Sequence, residues 1–213
     1  SVMVSLFISF TLDPMLSAYW GDPPGYSHRE QRGMGKVLHR FNVWFDHQAD
    51  RYGNVIAWAH PTSGVVEDCA PSLMPDVSGM IWGLADMLRQ GYVVVATDYP
   101  GLGVPGMIHP YLIGVSEGRA VLDSVRAARA MPDAGASNRF AVWGHSQGGH
   151  ASLYTGEIAA SYAPDLKLVG VAAAAPATYL IELFDADKSS PGGKDLTAMT
   201  IYSWSRLLND PAS

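Results

Sequence analysis

The sequence predicts an α/β fold in which the strands of a mostly parallel sheet alternate with helices. Three observations carry this prediction. The runs at 92–97 (YVVVAT) and 166–175 (LKLVGVAAAA) are apolar without polar alternation, as in strands that helices cover on both faces. A helix-length segment separates most of the strands from the next. The 213 residues are 48% hydrophobic and 16% charged, which is typical of a globular chain of one domain or a little more.

The regular elements begin after an irregular N-terminal part. Residues 1–53 are expected to form an irregular or covering segment, and residues 54–213 the core. The apolar run at 2–10 is predicted to be a buried strand or a segment that covers the surface of the core. The alternative is that it is the end of a trimmed export signal. The core elements are expected in this order: strand 54–60, helix 78–88, strand 92–97, helix 116–131, strand 140–143, helix 149–162, strand 166–175 and helix 194–208.

The second predicted helix has the clearest pattern. Ser116 is a suitable N-cap, and Glu117 suits the first turn, where acidic side chains are favoured. Val121, Val125 and Ala128 lie on one face of this helix. That face is expected to pack against the sheet.

Composition argues against several classes of protein. The chain has 20 acidic and 14 basic residues, a formal charge of −6 and no dense basic cluster, so no nucleic-acid partner is expected. The single cysteine, Cys69, excludes an intrachain disulfide and a C-x-x-C site. No run approaches the roughly 20 apolar residues that span a bilayer, so no transmembrane segment is expected.

Neither a cofactor nor a metal is expected. Gly101, Gly103 and Gly106 fit G-x-G-x-x-G after a strand, but a dinucleotide site needs a helix that opens at this loop. Pro105 and Pro110 delay any helix, so these glycines are predicted to be turn residues. The sequence contains no Walker A, H-E-x-x-H or EF-hand pattern.

The strongest chemical signal is a G-x-S-x-G motif formed by Gly144, Ser146 and Gly148. A nucleophilic serine needs a sharp strand-to-helix turn, and the residues two positions away must be small to avoid backbone clashes. An apolar strand precedes the motif and a helix follows it. The backbone N–H of Gln147 then faces the oxyanion of a tetrahedral intermediate. The alternative is a glycine-rich turn with a bystander serine.

Two residues at predicted strand ends are further candidates. His60 follows the first strand, where enzymes of this mechanism often carry His-Gly, but Pro61 has no N–H to donate. His60 is therefore expected to be a structural histidine under the loop. Asp98 ends the second strand, at the sheet edge where ligands bind. It is either a turn residue or a protonated oxyanion donor, and residue type alone favours the turn.

Several stretches together resemble the α/β-hydrolase lipases of the secretory lipase family and their bacterial relatives, over about residues 54–208. The matching stretches are AWAHPTSGVVEDCAPS (57–72), GYVVVATDYPGLG (91–103), HPYLIGVSEGRAVLDSVRAAR (109–129), VWGHSQGGHA (142–151) and SYAPDLKLVGVAAAAPA (161–177). The resemblance implies an α/β-hydrolase fold and hydrolysis of a small carboxylic ester or an acylglycerol, without a cofactor. It also favours a secreted or periplasmic location.

The resemblance implies roles for individual residues. Ser146 is the expected nucleophile, with the Gln147 backbone N–H as one oxyanion donor and Asp98 as the second. The sharp turn at 144–148 is called the elbow. The residues expected to support the elbow and the oxyanion loops are Gly144, His145, Gly148 and His60.

The histidine of a catalytic triad is harder to place. In this fold the triad runs in chain order Ser, Asp or Glu, then His, and no histidine follows His150. His150 is only four residues after Ser146 and is not expected to reach the side of the hydroxyl that a base occupies. His109 is expected to be a surface-loop residue. The fold is therefore expected to be incomplete at the C-terminus, with Asp and His supplied by a missing C-terminal segment or by the partner fragment of a proteolysed chain. The alternatives are a naturally short homologue that uses a different base and a non-catalytic relative.

Three functions remain open from the sequence. The favoured one is a serine lipase or esterase that forms an acyl-enzyme on Ser146. The second is a non-catalytic pseudo-hydrolase, or a fragment that lacks the triad Asp and His. The third is an acyltransferase with the same acyl-enzyme, in which an alcohol replaces water.

Overall fold

The computed structural model describes residues 53–208, so the irregular segment predicted for 1–53 lies almost entirely outside the described residues. Four strands form one parallel sheet in the spatial order β2-β1-β3-β4. Their bounds are β1 Gly53–Ala59, β2 Val93–Ala96, β3 Ala136–His145 and β4 Lys167–Ala174. The parallel sheet and its alternation with helices confirm the predicted fold class.

Five α-helices lie in the same part of the chain. They are α1 Leu84–Arg89, α2 Gly114–Ala130, α3 Gln147–Tyr162, α4 Leu180–Asp187 and α5 Pro191–Leu207. The helix predicted at 78–88 is split into a 3₁₀ turn, Ser78–Met80, and the short α1. Gly83 separates the two with a φ of 78°, a backbone conformation that glycine adopts without strain. Helix α4 was not predicted.

The start of α2 differs from its prediction. The N-cap is Ile113, which makes no side-chain capping bond, and Ser116 lies inside the first turn. Ser116 is therefore not the cap, because the helix begins two residues earlier. The prediction of turn glycines in the preceding loop is confirmed, since Gly101, Gly103 and Gly106 all have positive φ and no helix opens before α2.

The main core lies between the sheet and the helices α2 and α3. Both helices pack against the sheet and against each other. Val121, Val125 and Ala128 are buried on α2, as predicted from their spacing. The same core contains Phe140 and Val142 of β3, so α2 and α3 cover one face of the sheet.

The outer strands of the described sheet are less buried than expected. All residues of β2 are half-buried or exposed, and Val169 of β4 is 49% exposed. Within residues 53–208, the cover expected on both faces of these strands is therefore only partial. The long helices α2 and α3 share one face of the sheet, and the short helix α1 also contacts β2. Within residues 53–208, no helix combines the length and apolarity needed to cross a membrane.

Candidate active site

Ser146 occupies a sharp turn between β3 and α3. Its backbone has φ 58° and ψ −120°, a strained conformation for a residue with a side chain. The Ser146 N–H donates to the carbonyl oxygen of Ala174 at 2.9 Å, which ties the turn to the end of β4. This hydrogen bond and the two flanking elements hold the strained turn in place, and the serine side chain is half-buried at the carboxyl edge of the sheet.

The glycines of the motif permit this turn. A Cβ on Gly144 would lie 2.3 Å from the carbonyl oxygen of Gly148, and a Cβ on Gly148 would lie 2.0 Å from that of Ala59. Both distances are far below a van der Waals contact, and the obstructing atoms belong to the backbone. Small residues on both sides of the serine, as the motif predicts, are therefore a requirement of this geometry.

Gln147 is the first residue of α3. The first N–H groups of an α-helix have no partner within the helix, and they form the positive end of its dipole. The Gln147 N–H therefore lies beside the serine as a donor for an anion. The Gln147 side chain points the other way, into the protein, where it is almost fully buried.

Asp98 lies two residues beyond the end of β2 and is half-buried. One carboxyl oxygen accepts the backbone N–H of Ser72 at 3.0 Å, and the other accepts the Ser72 hydroxyl. Asp98 therefore joins the loop after β2 to the 3₁₀ turn Pro71–Leu73. No motif in the sequence singles out Ser72 as the partner of Asp98.

His60 is fully buried directly after β1. Its Nδ1 donates to the Pro61 carbonyl oxygen at 2.7 Å, and its ring lies against that of Tyr99 with centroids 4.0 Å apart. Burial lowers the pKa of His60 to about 4, so the ring is neutral at pH 7. Burial also raises the pKa of Tyr99, whose hydroxyl donates to the His60 carbonyl oxygen.

His109 is buried and not a surface residue, so that prediction is wrong. Its Nδ1 donates to the Pro100 carbonyl oxygen at 3.1 Å, and its ring stacks on Tyr99 at 5.3 Å. The loop that carries His109 is held under α5, because the Ser203 hydroxyl donates to the His109 carbonyl oxygen. Burial lowers the pKa of His109 to about 4, which keeps this ring neutral as well.

A buried polar cluster lies behind the elbow. It consists of Gln147, His109, Glu117 and His150. The Gln147 Nε2 lies 2.6 Å from Nε2 of His109 and 2.7 Å from Oε1 of Glu117. His150 Nδ1 donates to Oε2 of Glu117 at 2.8 Å.

The sequence predicts Glu117 only as an acidic residue in the first turn of a helix. Its position four residues before Val121, on the buried face of α2, was the signal for its burial.

An apolar cavity of about 180 Å³ lies beside the residue that precedes the serine. Its lining residues are Trp58, Pro61, Met80, Trp82, Trp143 and His145. Trp82 is 65% exposed, and the centroid of its ring lies 5.6 Å from that of His145. The His145 side chain thus takes part in an aromatic surface, and within the described residues it forms no hydrogen bond with the Ser146 hydroxyl.

The described residues do not complete a triad. Between residues 53 and 208, the hydrogen bonds of His60, His109 and His150 go to groups other than Ser146. The same part of the chain contains no group of three or more side chains that could hold a metal ion.

Comparison with known families agrees with this architecture. The family model described as "Secretory lipase" matches residues 79–193, which is more than half of the chain. The chain belongs to the secretory lipase family. The matched region runs from the turn before α1 to the start of α5, and it contains the elbow and the buried cluster.

Two relatives illustrate the sequence similarity. Lipase A of Moesziomyces aphidis is 36% identical over 83 residues, which are 39% of this chain and 17% of the relative. The trichothecene C-3 esterase of Fusarium sporotrichioides is 36% identical over 95 residues, which are 42% of this chain and 20% of the relative. The matches thus cover less than a quarter of these relatives.

Two solved structures illustrate the similarity in fold. Candida antarctica lipase A in its closed state has a TM-score of 0.57 at 25% identity, over 71% of this chain and 36% of that one. The esterase LipA of Xanthomonas oryzae has a TM-score of 0.57 at 27% identity, over 76% of this chain and 46% of that one. The fold is therefore that of the α/β-hydrolases, as the resemblance implied, and the chain spans less than half of these neighbours.

Proposed function

We propose that this chain carries the nucleophile of a serine carboxylic-ester hydrolase, a lipase or esterase, and that Ser146 forms its acyl-enzyme. The observation that carries the proposal is the strained turn of Ser146 between two glycines that admit no Cβ. Strain of this kind is kept where a side chain must project from the sheet edge for chemistry. In the reaction, Ser146 Oγ attacks the acyl carbonyl, the alcohol leaves, and water releases the acid.

The oxyanion is held by two groups in this proposal. The backbone N–H of Gln147 is the first donor, supported by its place at the N-terminus of α3. Asp98 is the second donor, and donation requires a protonated carboxyl. The Ser72 N–H holds one Asp98 oxygen, and the other, which accepts the Ser72 hydroxyl here, is the one that would carry the proton.

The base and acid of the triad are proposed to come from residues outside this chain. Two observations support this: the buried histidines have other partners, and the chain spans only part of its relatives. A His and an Asp or Glu from a C-terminal segment would complete the site. The substrate is proposed to be a small ester or an acylglycerol, and the protein is proposed to be exported, as the family's name suggests.

The proposal is tested with a fluorophosphonate probe, which phosphonylates activated serines. The protein as the cell makes it is treated with the probe, and its intact mass is measured before and after. We expect one adduct on the wild-type protein and none on Ser146→Ala. Absence of an adduct on the wild-type protein would favour the pseudo-hydrolase.

A matched control is available on the same helix. Ser152 is buried, and its hydroxyl donates to the Gly148 carbonyl oxygen within α3. Ser152→Ala is expected to keep the adduct, because this hydroxyl is already bonded within the helix. Loss of the adduct in both variants would mean that labelling reports on folding rather than on the Ser146 hydroxyl.

A further inference from the structure

The buried polar cluster behind the elbow includes the side chain of Gln147, whose backbone N–H is the proposed oxyanion donor. The role proposed for Ser146 does not account for this cluster. Glu117 is fully buried, although a carboxylate is costly to bury without partners. It has three donors: Oε1 accepts the Leu112 N–H at 3.2 Å and Gln147 Nε2 at 2.7 Å, and Oε2 accepts His150 Nδ1 at 2.8 Å. Two of these three donors belong to the first turn of α3.

Two glycines of α2 bring Glu117 to this position. A Cβ on Gly114 would lie 2.0 Å from the ring of Tyr154, and a Cβ on Gly118 would lie 3.1 Å from the backbone nitrogen of Thr155. Both contacts are with α3. The glycines therefore allow the start of α2 to approach α3 closely, and this places the carboxylate against Gln147.

The direction of each hydrogen bond around Gln147 follows from the neighbouring groups. His109 Nδ1 must donate to the Pro100 carbonyl oxygen, so its Nε2 is an acceptor. The Gln147 Nε2 therefore donates one hydrogen to His109 and the other to Glu117. With both hydrogens bonded, the orientation of the Gln147 side chain is fixed from two sides.

We propose that Glu117 is a positioning residue: through the Gln147 side chain, it fixes the direction of the Gln147 backbone N–H toward the oxyanion. This inference rests on the proposed function, because the oxyanion belongs to that reaction. His150, one helical turn further along α3, holds the same carboxylate and thereby fixes the first turn as a unit. Glu117 touches no reacting atom.

The test compares two substitutions of Glu117. Glu117→Met removes every acceptor at similar size. Glu117→Gln keeps one acceptor, the amide oxygen, which can still accept the Leu112 N–H and the Gln147 amide. Its amide N–H can donate to Nδ1 of His150 if His150 takes the tautomer with its proton on Nε2. In Glu117→Met, the maximal rate of labelling by the fluorophosphonate is expected to fall about ten-fold or more. The affinity for the probe is expected to stay the same. Glu117→Gln is expected to stay within about three-fold of wild type.

A double-mutant cycle shows whether Glu117 acts through Gln147. Gln147→Met removes the anchored side chain but keeps the backbone N–H. If the account is right, Glu117→Met slows labelling little further once Gln147→Met is present. Additive losses in the double variant would contradict it. Thr155→Val is the matched control, since Thr155 is buried on α3 and, among residues 53–208, its hydroxyl bonds only to the Ala151 carbonyl oxygen of the same helix.

A second readout separates this proposal from the proposed function. In NMR spectra, the backbone amide signal of Gln147 is expected to shift or broaden in Glu117→Met and to stay at its wild-type position in Glu117→Gln and Thr155→Val. If the wild-type protein takes no label, the proposed function fails, and the amide signal alone decides the positioning role. An unchanged Gln147 amide in a folded Glu117→Met protein would overturn it.

Discussion

Asp98 combines a structural contact with a position suited to catalysis. Its carboxyl group holds Ser72 at the sheet edge, and the proposed reaction assigns the same group to the oxyanion. If the second assignment is right, Asp98→Ala lowers kcat by about 10²–10³, the usual cost of one oxyanion donor. Ester hydrolysis under saturating substrate measures this.

The control for Asp98 is its partner. Ser72→Ala removes the hydroxyl bond but leaves the carboxyl group, so it should cost far less than Asp98→Ala. Asp98→Asn keeps a donor and should retain most of the activity. Equal losses in Ser72→Ala and Asp98→Ala would mean that the contact between the loops, and not an oxyanion donor, is what matters.

The two buried histidines predict a dependence of stability on pH. His60 and His109 have a pKa of about 4 in the folded chain because burial disfavours the charged ring, whereas an exposed histidine titrates near 6.5. The unfolded chain therefore binds more protons between these values, and stability falls as the pH drops from about 7 toward 4. Each histidine is expected to lower the free energy of unfolding by about 2 kcal/mol when the pH falls from 7 to 5.

Urea unfolding at these two pH values measures the effect. His60→Gln and His109→Gln should each reduce the difference in unfolding free energy, and His145→Gln, at a half-buried ring outside this pair, serves as the matched control. A pH dependence that is the same in all three variants and the wild-type chain would contradict the assignment.

At the level of elements, the contact between α2 and α3 depends on Gly114. Alanine is the better helix former by about 1 kcal/mol, but a Cβ here would enter the Tyr154 ring. Overpacking of this kind costs about 1–3 kcal/mol, so Gly114→Ala is expected to be destabilising in thermal or urea unfolding.

A glycine in α5 provides the comparison. Gly192 has no atom within 4 Å of the place where its Cβ would lie. Gly192→Ala is therefore expected to be neutral or stabilising by up to about 1 kcal/mol. If Gly114→Ala behaved like Gly192→Ala, the close approach of α2 to α3 would not be a constraint on the fold.

The elements differ in how well sequence predicted them, for physical reasons. The strand, elbow and helix around Ser146 were predictable because a local motif and a backbone restriction coincide there. Glu117 and His109 were not placed correctly, since an acidic residue in a first turn and a histidine in a loop are usually exposed. Their burial depends on contacts with α3 and α5 that lie 30 to 94 residues away in sequence.

For the whole molecule, the described sheet has one face packed by α2 and α3, and an aromatic cavity lies beside the elbow. The proposed nucleophile and the two proposed oxyanion donors are held by contacts within residues 53–208, whereas the proposed base is not among these residues. Under the proposed function, this chain holds the rigid part of the hydrolase site. The position of the last histidine, His150, predicts the same division, because the triad histidine of this fold follows the serine and the acid in the chain.

The most direct test of the central claim is ester turnover by the protein as the cell makes it, compared with its Ser146→Ala variant. With p-nitrophenyl butyrate as substrate, we expect release of the acid by the wild-type protein and a loss to background in the variant. Turnover that survives in a folded Ser146→Ala protein would contradict the claim that Ser146 carries the acyl group.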